Sequence, residues 1–291
     1  MQTTIKNACL SVVSDTHGAE LHAIDAADGT RYLWDADKKH WGYHAPTLFP
    51  NVGSLRGDRA LLDQGEVRLD KHGFARKSDW ELLNQTDDSV TYRLESNDNT
   101  RQQYPFDFCF DLTYKIEGCR LDTIYSIRNT GDRDMPFTVG GHPGFRLPMT
   151  EEDCFEDYVV SFEYPETADC PNIDENGLII NSCRNRLLTN QKSFSLNHVL
   201  FRRDALIFDA LRSRSVRLYS SKSGKGVQMD FKDMNFFAIW TPDKDAPFVC
   251  LEPWTGTATL VEEDDVFAHK QGTTILAPGE TKSFSFSITV F

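Results

Sequence analysis

Period-two alternation of apolar and polar residues most restricts the folds open to this chain. The run Ser283 to Phe291 places Phe284, Phe286, Ile288 and Val290 on one side, with Ser285, Ser287 and Thr289 between them. From Phe106 to Ile116, one face collects Phe106, Phe108, Phe110, Leu112, Tyr114 and Ile116. Leu121 to Arg128 aligns Leu121, Thr123, Tyr125 and Ile127, and Ser89 to Glu95 aligns Val90, Tyr92 and Leu94. Successive side chains of a strand point to opposite faces, so these runs read as half-buried strands. Asp28-Gly29, Glu117-Gly118, Thr130-Gly131-Asp132, Gly224-Lys225-Gly226 and Pro278-Gly279-Glu280 supply the turns between such runs.

Helical periodicity is confined to short stretches around Glu151–Glu156, with Thr150 as an N-cap, and around Leu196–Arg203. Many close strands with almost no helix predict an all-β fold, a sandwich or barrel of antiparallel sheets. No linker, low-complexity tract or fixed-period repeat interrupts the chain, so one domain over residues 1–291 is expected. Residues 165–195 are the most irregular stretch and are expected to run over the surface as a long excursion.

The 20 Phe, 9 Tyr and 5 Trp are enough for a large core. A net charge of −13 argues against nucleic acid or an anionic membrane as the main partner and leaves a small molecule open. The start, MQTTIKNACLSVV, lacks the pattern of a secretory leader, and no apolar run reaches the roughly 18 residues of a membrane span. Seven cysteines, an odd number without C-x-x-C spacing, predict reduced and mostly buried thiols in a cytoplasmic protein.

Four islands pair reactive side chains with backbone punctuation: Leu48–Gly53, Lys71–Arg76, Gly140–Phe145 and Phe248–Gly256. In the third, Gly140-Gly141-His142-Pro143-Gly144-Phe145, glycines that reach angles other residues avoid and a proline of fixed φ predict a rigid loop around His142. In the fourth, Glu252 follows the apolar residues Phe248–Leu251 and precedes Pro253 and Trp254. It reads either as a carboxylate with a raised pKa or as a salt-bridged strand end. His72 lies where the chain can turn tightly, and Arg76 follows with a group suited to a carboxylate, hydroxyl or phosphate. His40 and His44 flank Trp41-Gly42-Tyr43, where loop composition favours a surface loop over a metal site.

Taken together, HGFAR, GGHPGF, an aspartate near 204–209 and LEPW resemble the galactose mutarotase-like, or aldose 1-epimerase, superfamily. The likeness is to its LacX-like branch, related to the hexose-6-phosphate mutarotases, and runs from about residue 5 to Phe291. The resemblance implies a large antiparallel β-supersandwich that interconverts the α and β anomers of a hexose without cofactor or metal. It implies His142 and Glu252 as the catalytic pair, and His72, Arg76 and Asp204 as substrate-binding residues, with Asp209 the fallback for Asp204. Trp254, beside Glu252, is a substrate-binding candidate on its own chemistry, since sugars stack their apolar faces on aromatic rings. The better-known branch has an arginine after its first glycine turn. Gly53–Arg59 offers no clear match, and Arg76 is the expected replacement.

Other readings remain open on the sequence. Arg56, Arg59, Lys71, Arg76 and Arg146 are candidates for a phosphate pocket, which would make the substrate a hexose 6-phosphate. A glycoside hydrolase generally needs two carboxylates flanking the scissile bond, and these motifs supply one. A carbohydrate-binding protein without turnover would keep the same framework. A metal-dependent sandwich using both histidines and Glu252 lacks H-x-H spacing.

Overall fold

In the computed structural model, which describes residues 1–242 and 245–291, the alternating runs pair into one antiparallel sheet. Among the described residues it has nine strands. Their spatial order is Ile179–Ser195, Tyr158–Ile173, Ser215–Ser220, Gly226–Asp230, Thr281–Val290, Arg120–Asn129, Phe108–Glu117, Ser89–Glu95 and Glu81–Gln85. Register sets apolar residues opposite one another: Leu121 against Ile116, Tyr125 against Leu112, Ile127 against Phe110. On the other flank Leu121 meets Ile288 and Thr123 meets Phe286. Cross-strand pairs of this kind contribute about 0.2–1 kcal/mol each relative to alanine pairs. The larger gain is the apolar face removed from water, at about 25 cal/mol per Å².

A second sheet packs on that face. It runs Leu206–Phe208, Phe236–Trp240, Phe248–Trp254, Gly140–Gly141 and Thr47–Leu48, and Gly144–Arg146 also pairs with Phe248–Trp254. Every residue of Phe248–Trp254 is buried. Val249 and Leu251 join the main core, which includes Tyr125 and Phe286. On the opposite face, Phe248 and Cys250 pack with Trp34 and Ala246, and Trp254 packs with Leu48, Ile207 and Phe236. Burial on both faces explains why this segment reads as a continuous apolar run. It also puts Glu252 inside protein. A third sheet, Gln2–Lys6, Leu10–Asp15 and Leu21–Ala26, completes an antiparallel β-sandwich as the alternation predicts.

The structure corrects three expectations. Residues 165–195 form most of a long hairpin, Tyr158–Ile173 with Ile179–Ser195, rather than an irregular excursion. The pair lies at the sheet edge and its register shifts several times, so no single face stays buried and the alternation is lost. The predicted helices shrink to single 3-10 turns, Phe155–Asp157 and His198–Phe201. Thr150 caps nothing and bonds Asp153 instead. The α-helix among the described residues is Asp98–Gln103, whose signal was the Asn97/Thr100 capping box rather than an apolar stripe.

The third concerns cysteine. Cys9 and Cys119 form a disulfide with Cα atoms 5.3 Å apart. The Asn7 side chain donates to the Gly118 carbonyl at 2.9 Å, seating the first hairpin turn on the Glu117–Arg120 turn, a contact between segments that spacing cannot reveal. Of the other thiols, Cys170 and Cys250 are buried, Cys109 is half-buried, and Cys154 and Cys183 are exposed.

Candidate active site

The glycines around His142 do a different job from the one their composition implies. None of Gly140, Gly141 and Gly144 takes a positive φ. They are needed for close approach. A Cβ on Gly140 would stand 2.5 Å from Trp254 Cδ1, and one on Gly141 would stand 2.6 Å from Phe286 Cζ. Gly140 pairs with both Trp254 and Leu48, and Tyr125 donates its hydroxyl to the Gly140 carbonyl at 3.3 Å. The segment is thus pinned as a short strand, and His142 leaves it at a fixed point. Positive φ occurs instead at His72 and Gly73, both at +68°. A Cβ at Gly73 would stand 2.2 Å from the Phe49 carbonyl oxygen, so only glycine fits there.

His142 and Glu252 meet with Nε2 and Oε2 3.1 Å apart, and both are buried. Burial, helped by the positive charge of Lys71, pushes the His142 imidazole down to about 3. Burial raises the Glu252 carboxyl well above 4.5, Asp204 adds to this, and Lys71 opposes it. Both groups therefore favour their neutral forms in the unliganded cavity. Beyond its contact with His142, Glu252 Oε2 has no further hydrogen-bond partner among the described residues, and His142 Nδ1 and Trp254 Nε1, also buried, have none. Three such atoms around one cavity mark a place where polar ligand atoms would recover lost hydrogen bonds, each orphan costing about 1–3 kcal/mol.

All six candidate residues line this one cavity: His72, Arg76, His142, Asp204, Glu252 and Trp254. His72 is held by a reciprocal contact, its N–H donating to the Gly53 carbonyl at 3.0 Å and the Gly53 N–H donating to Nδ1 at 3.1 Å. That bond assigns the proton to Nε2, and burial keeps the ring neutral. Asn51 braces the same loop through the carbonyls of Gly53 and Asp70. Arg76 donates to the Lys71 carbonyl at 2.7 Å and lies over the Tyr43 ring at 5.0 Å. Asp204 sits at a φ of +78° with Oδ1 accepting from the Ala205 N–H. Asp209 is removed from the choice, since both its oxygens are taken by Arg184 at 2.6 and 2.9 Å.

Two tryptophans escaped sequence reasoning. Trp41 stacks on the His142 ring at 4.8 Å, and Trp240 meets it edge-on at 5.5 Å. The signal was present in Trp41-Gly42-Tyr43, but nothing local tied that loop to His142. The phosphate candidates also separate. Arg56 is occupied by Asp265 and the carbonyls of Leu260, Val261 and Glu263. Arg59 lies between Glu66 and Asp265, and Arg146 lines a different depression. Lys71 and Arg76 remain at the cavity.

Comparison with known proteins points one way. The family model described as aldose 1-epimerase matches residues 1–289. The plasmid-encoded protein LacX of Lactococcus lactis subsp. lactis is 36% identical over 297 residues, covering 100% of this chain and 99% of that protein. Among solved structures, a galactose mutarotase related enzyme from Lactobacillus acidophilus superposes with a TM-score of 0.95 at 34% identity, covering 100% of this chain and 97% of that one. A galactose mutarotase-like protein from Lactobacillus casei gives 0.94 at 26% identity, covering each chain fully.

Proposed function

The chain belongs to the aldose 1-epimerase family, isomerases of the mutarotase type, and from that premise we propose that it interconverts the α and β anomers of a hexopyranose by ring opening and closure at His142 and Glu252. The observation that carries this reading is the 3.1 Å approach of two buried acid/base groups with unpartnered atoms in one tryptophan-walled cavity. The hydroxyl oxygen at C1 and the ring oxygen are bonded to the same carbon. Two catalysts this close can each reach one of them.

Glu252 as carboxylate takes the proton from the C1 hydroxyl while His142 as imidazolium donates to the ring oxygen. The C1–ring oxygen bond breaks, the hydroxyl oxygen becomes an aldehyde, and C1 turns about its bond to C2. Closure on the other face returns both protons to their starting groups. The carboxylate/imidazolium pair holds as many protons as the neutral carboxyl/imidazole pair that burial favours, and a proton moving across the 3.1 Å contact converts one to the other. A bound sugar's hydroxyls supply the polarity that stabilises the charged form. His72 Nε2–H and Asp204 would bind ring hydroxyls, and Trp254, Trp41 and Trp240 would face the sugar's apolar surface.

Polarimetry on freshly dissolved α-D-glucose and α-D-galactose tests the reading. Glu252→Gln should lower the catalysed rate about 10²- to 10⁴-fold while the protein remains folded. A wild-type rate equal to buffer across a panel of hexoses and their 6-phosphates, with tight sugar binding by calorimetry, would leave a binding protein instead. Lys71 and Arg76 favour a second substrate reading, a hexose 6-phosphate. The ratio of rates on glucose 6-phosphate and glucose decides between the two.

A further inference from the structure

Outside the sugar cavity, three side chains from separate segments converge. Glu20 precedes the strand Leu21–Ala26, His22 lies on it, and His44 lies in the loop before Thr47–Leu48. One ligand-capable atom of each lies within 4.8 Å of the other two. Glu20 Oε1 accepts the backbone N–H groups of His44 at 2.6 Å and Ala45 at 3.0 Å, which fixes the carboxylate. Its oxygens then stand 3.9 Å from His22 Nε2 and 3.9 Å from His44 Nδ1. The two imidazoles stack at 4.3 Å. His44 Nδ1 is buried without a hydrogen-bond partner among the described residues. Anchoring the loop through Glu20 requires neither imidazole, so the orphaned nitrogen needs another explanation.

We propose that Glu20, His22 and His44 bind a divalent cation of the Zn²⁺ class. Zinc bonds of about 2.0–2.2 Å at tetrahedral angles set donor atoms about 3.3–3.6 Å apart. The 3.9 Å contacts run from the two imidazoles to different Glu20 oxygens, so closing on an ion requires the stacked rings to turn until both nitrogens face one carboxylate oxygen. Two imidazoles and a carboxylate suit a borderline cation and leave a fourth position for water. The Gln2 side-chain amide lies 3.2 Å from His22 Nδ1. The atom facing the ring is the amide nitrogen, which donates to Nδ1; ion binding at His22 Nε2 requires the amide to turn over, so that its oxygen accepts Nδ1–H.

The site bears on the cavity through the chain. The His44 carbonyl accepts the Gly144 N–H at 2.8 Å, and Trp41, three residues before His44, stacks on His142. The ion therefore clips the loop that carries Trp41.

Tag-free full-length protein, stripped with chelator, is titrated with ZnCl₂ by calorimetry and with CoCl₂ by absorption. About one ion per chain should bind, and Zn²⁺ should raise the melting temperature. His44→Asn and His22→Asn should each weaken binding by about tenfold or more, and Gln2→Ala by about tenfold. His142, Cys250 and Glu252 also cluster within 4.8 Å, so Cys250→Ala serves as the contrast and should bind as the wild type does. No binding, binding that survives the His22→Asn/His44→Asn double variant, or binding lost in Cys250→Ala overturns the proposal. These readouts are independent of anomer exchange.

Discussion

His142 and Glu252 differ from free side chains because both are almost wholly removed from water, and solvation is what normally stabilises their charged forms. The consequence is a pH profile unlike that of an ordinary imidazole. The pair keeps its single shared proton until His142 takes a second near pH 3, or until the last proton leaves above the raised value of Glu252. The ratio kcat/KM for anomer exchange should therefore be flat from the moderately acidic range upward, with no acid limb near 6.5. Because the groups titrate as a pair, each limb reports a property of both. A limb centred near 6.5 would mean that His142 is solvated in the free enzyme.

At the scale of elements, the cavity exists because short segments cross at close range. The HGFAR turn approaches the Phe49 carbonyl so closely that Gly73 has no room for a methyl group, and its φ of +68° disfavours one independently. Gly73→Ala should cost about 2–5 kcal/mol through strain and overpacking. Denaturant unfolding measures this, and a cost below about 0.5 kcal/mol would show that the loop can relax. Since His72 would move with the loop, kcat/KM should fall even where the variant folds. Both effects come from a backbone contact between segments distant in sequence.

The whole molecule is tied together by the large sheet, the site-bearing sheet and one covalent link. Cys9–Cys119 closes a sequence separation of 110 residues. Among seven cysteines it leaves five free. In protein purified without reductant, Cys119→Ser should lower stability by about 2–4 kcal/mol relative to the oxidised wild type. The variant and fully reduced wild type should unfold together. Equal stability of the oxidised and reduced wild type would show that the bond contributes nothing.

The sequence by itself determined the architecture class and pointed to residues that line one cavity. Alternation from Phe106 to Ile116 and from Ser283 to Phe291 follows directly from a sheet with one buried face, so it is a local signal. The islands around His72, His142 and Glu252 were legible because glycine, proline and an isolated carboxylate interrupt such patterns. Only the tertiary structure decided what those features do. It gave the glycines beside His142 a packing role, took Asp209 away to Arg184, and laid Trp41 over His142. It also joined Cys9 to Cys119 and brought His44 to His22 and Glu20. The physical reason is the same in each case. Burial, ion pairing and ring stacking depend on distances between remote segments, and those distances arise only when the sheets pack.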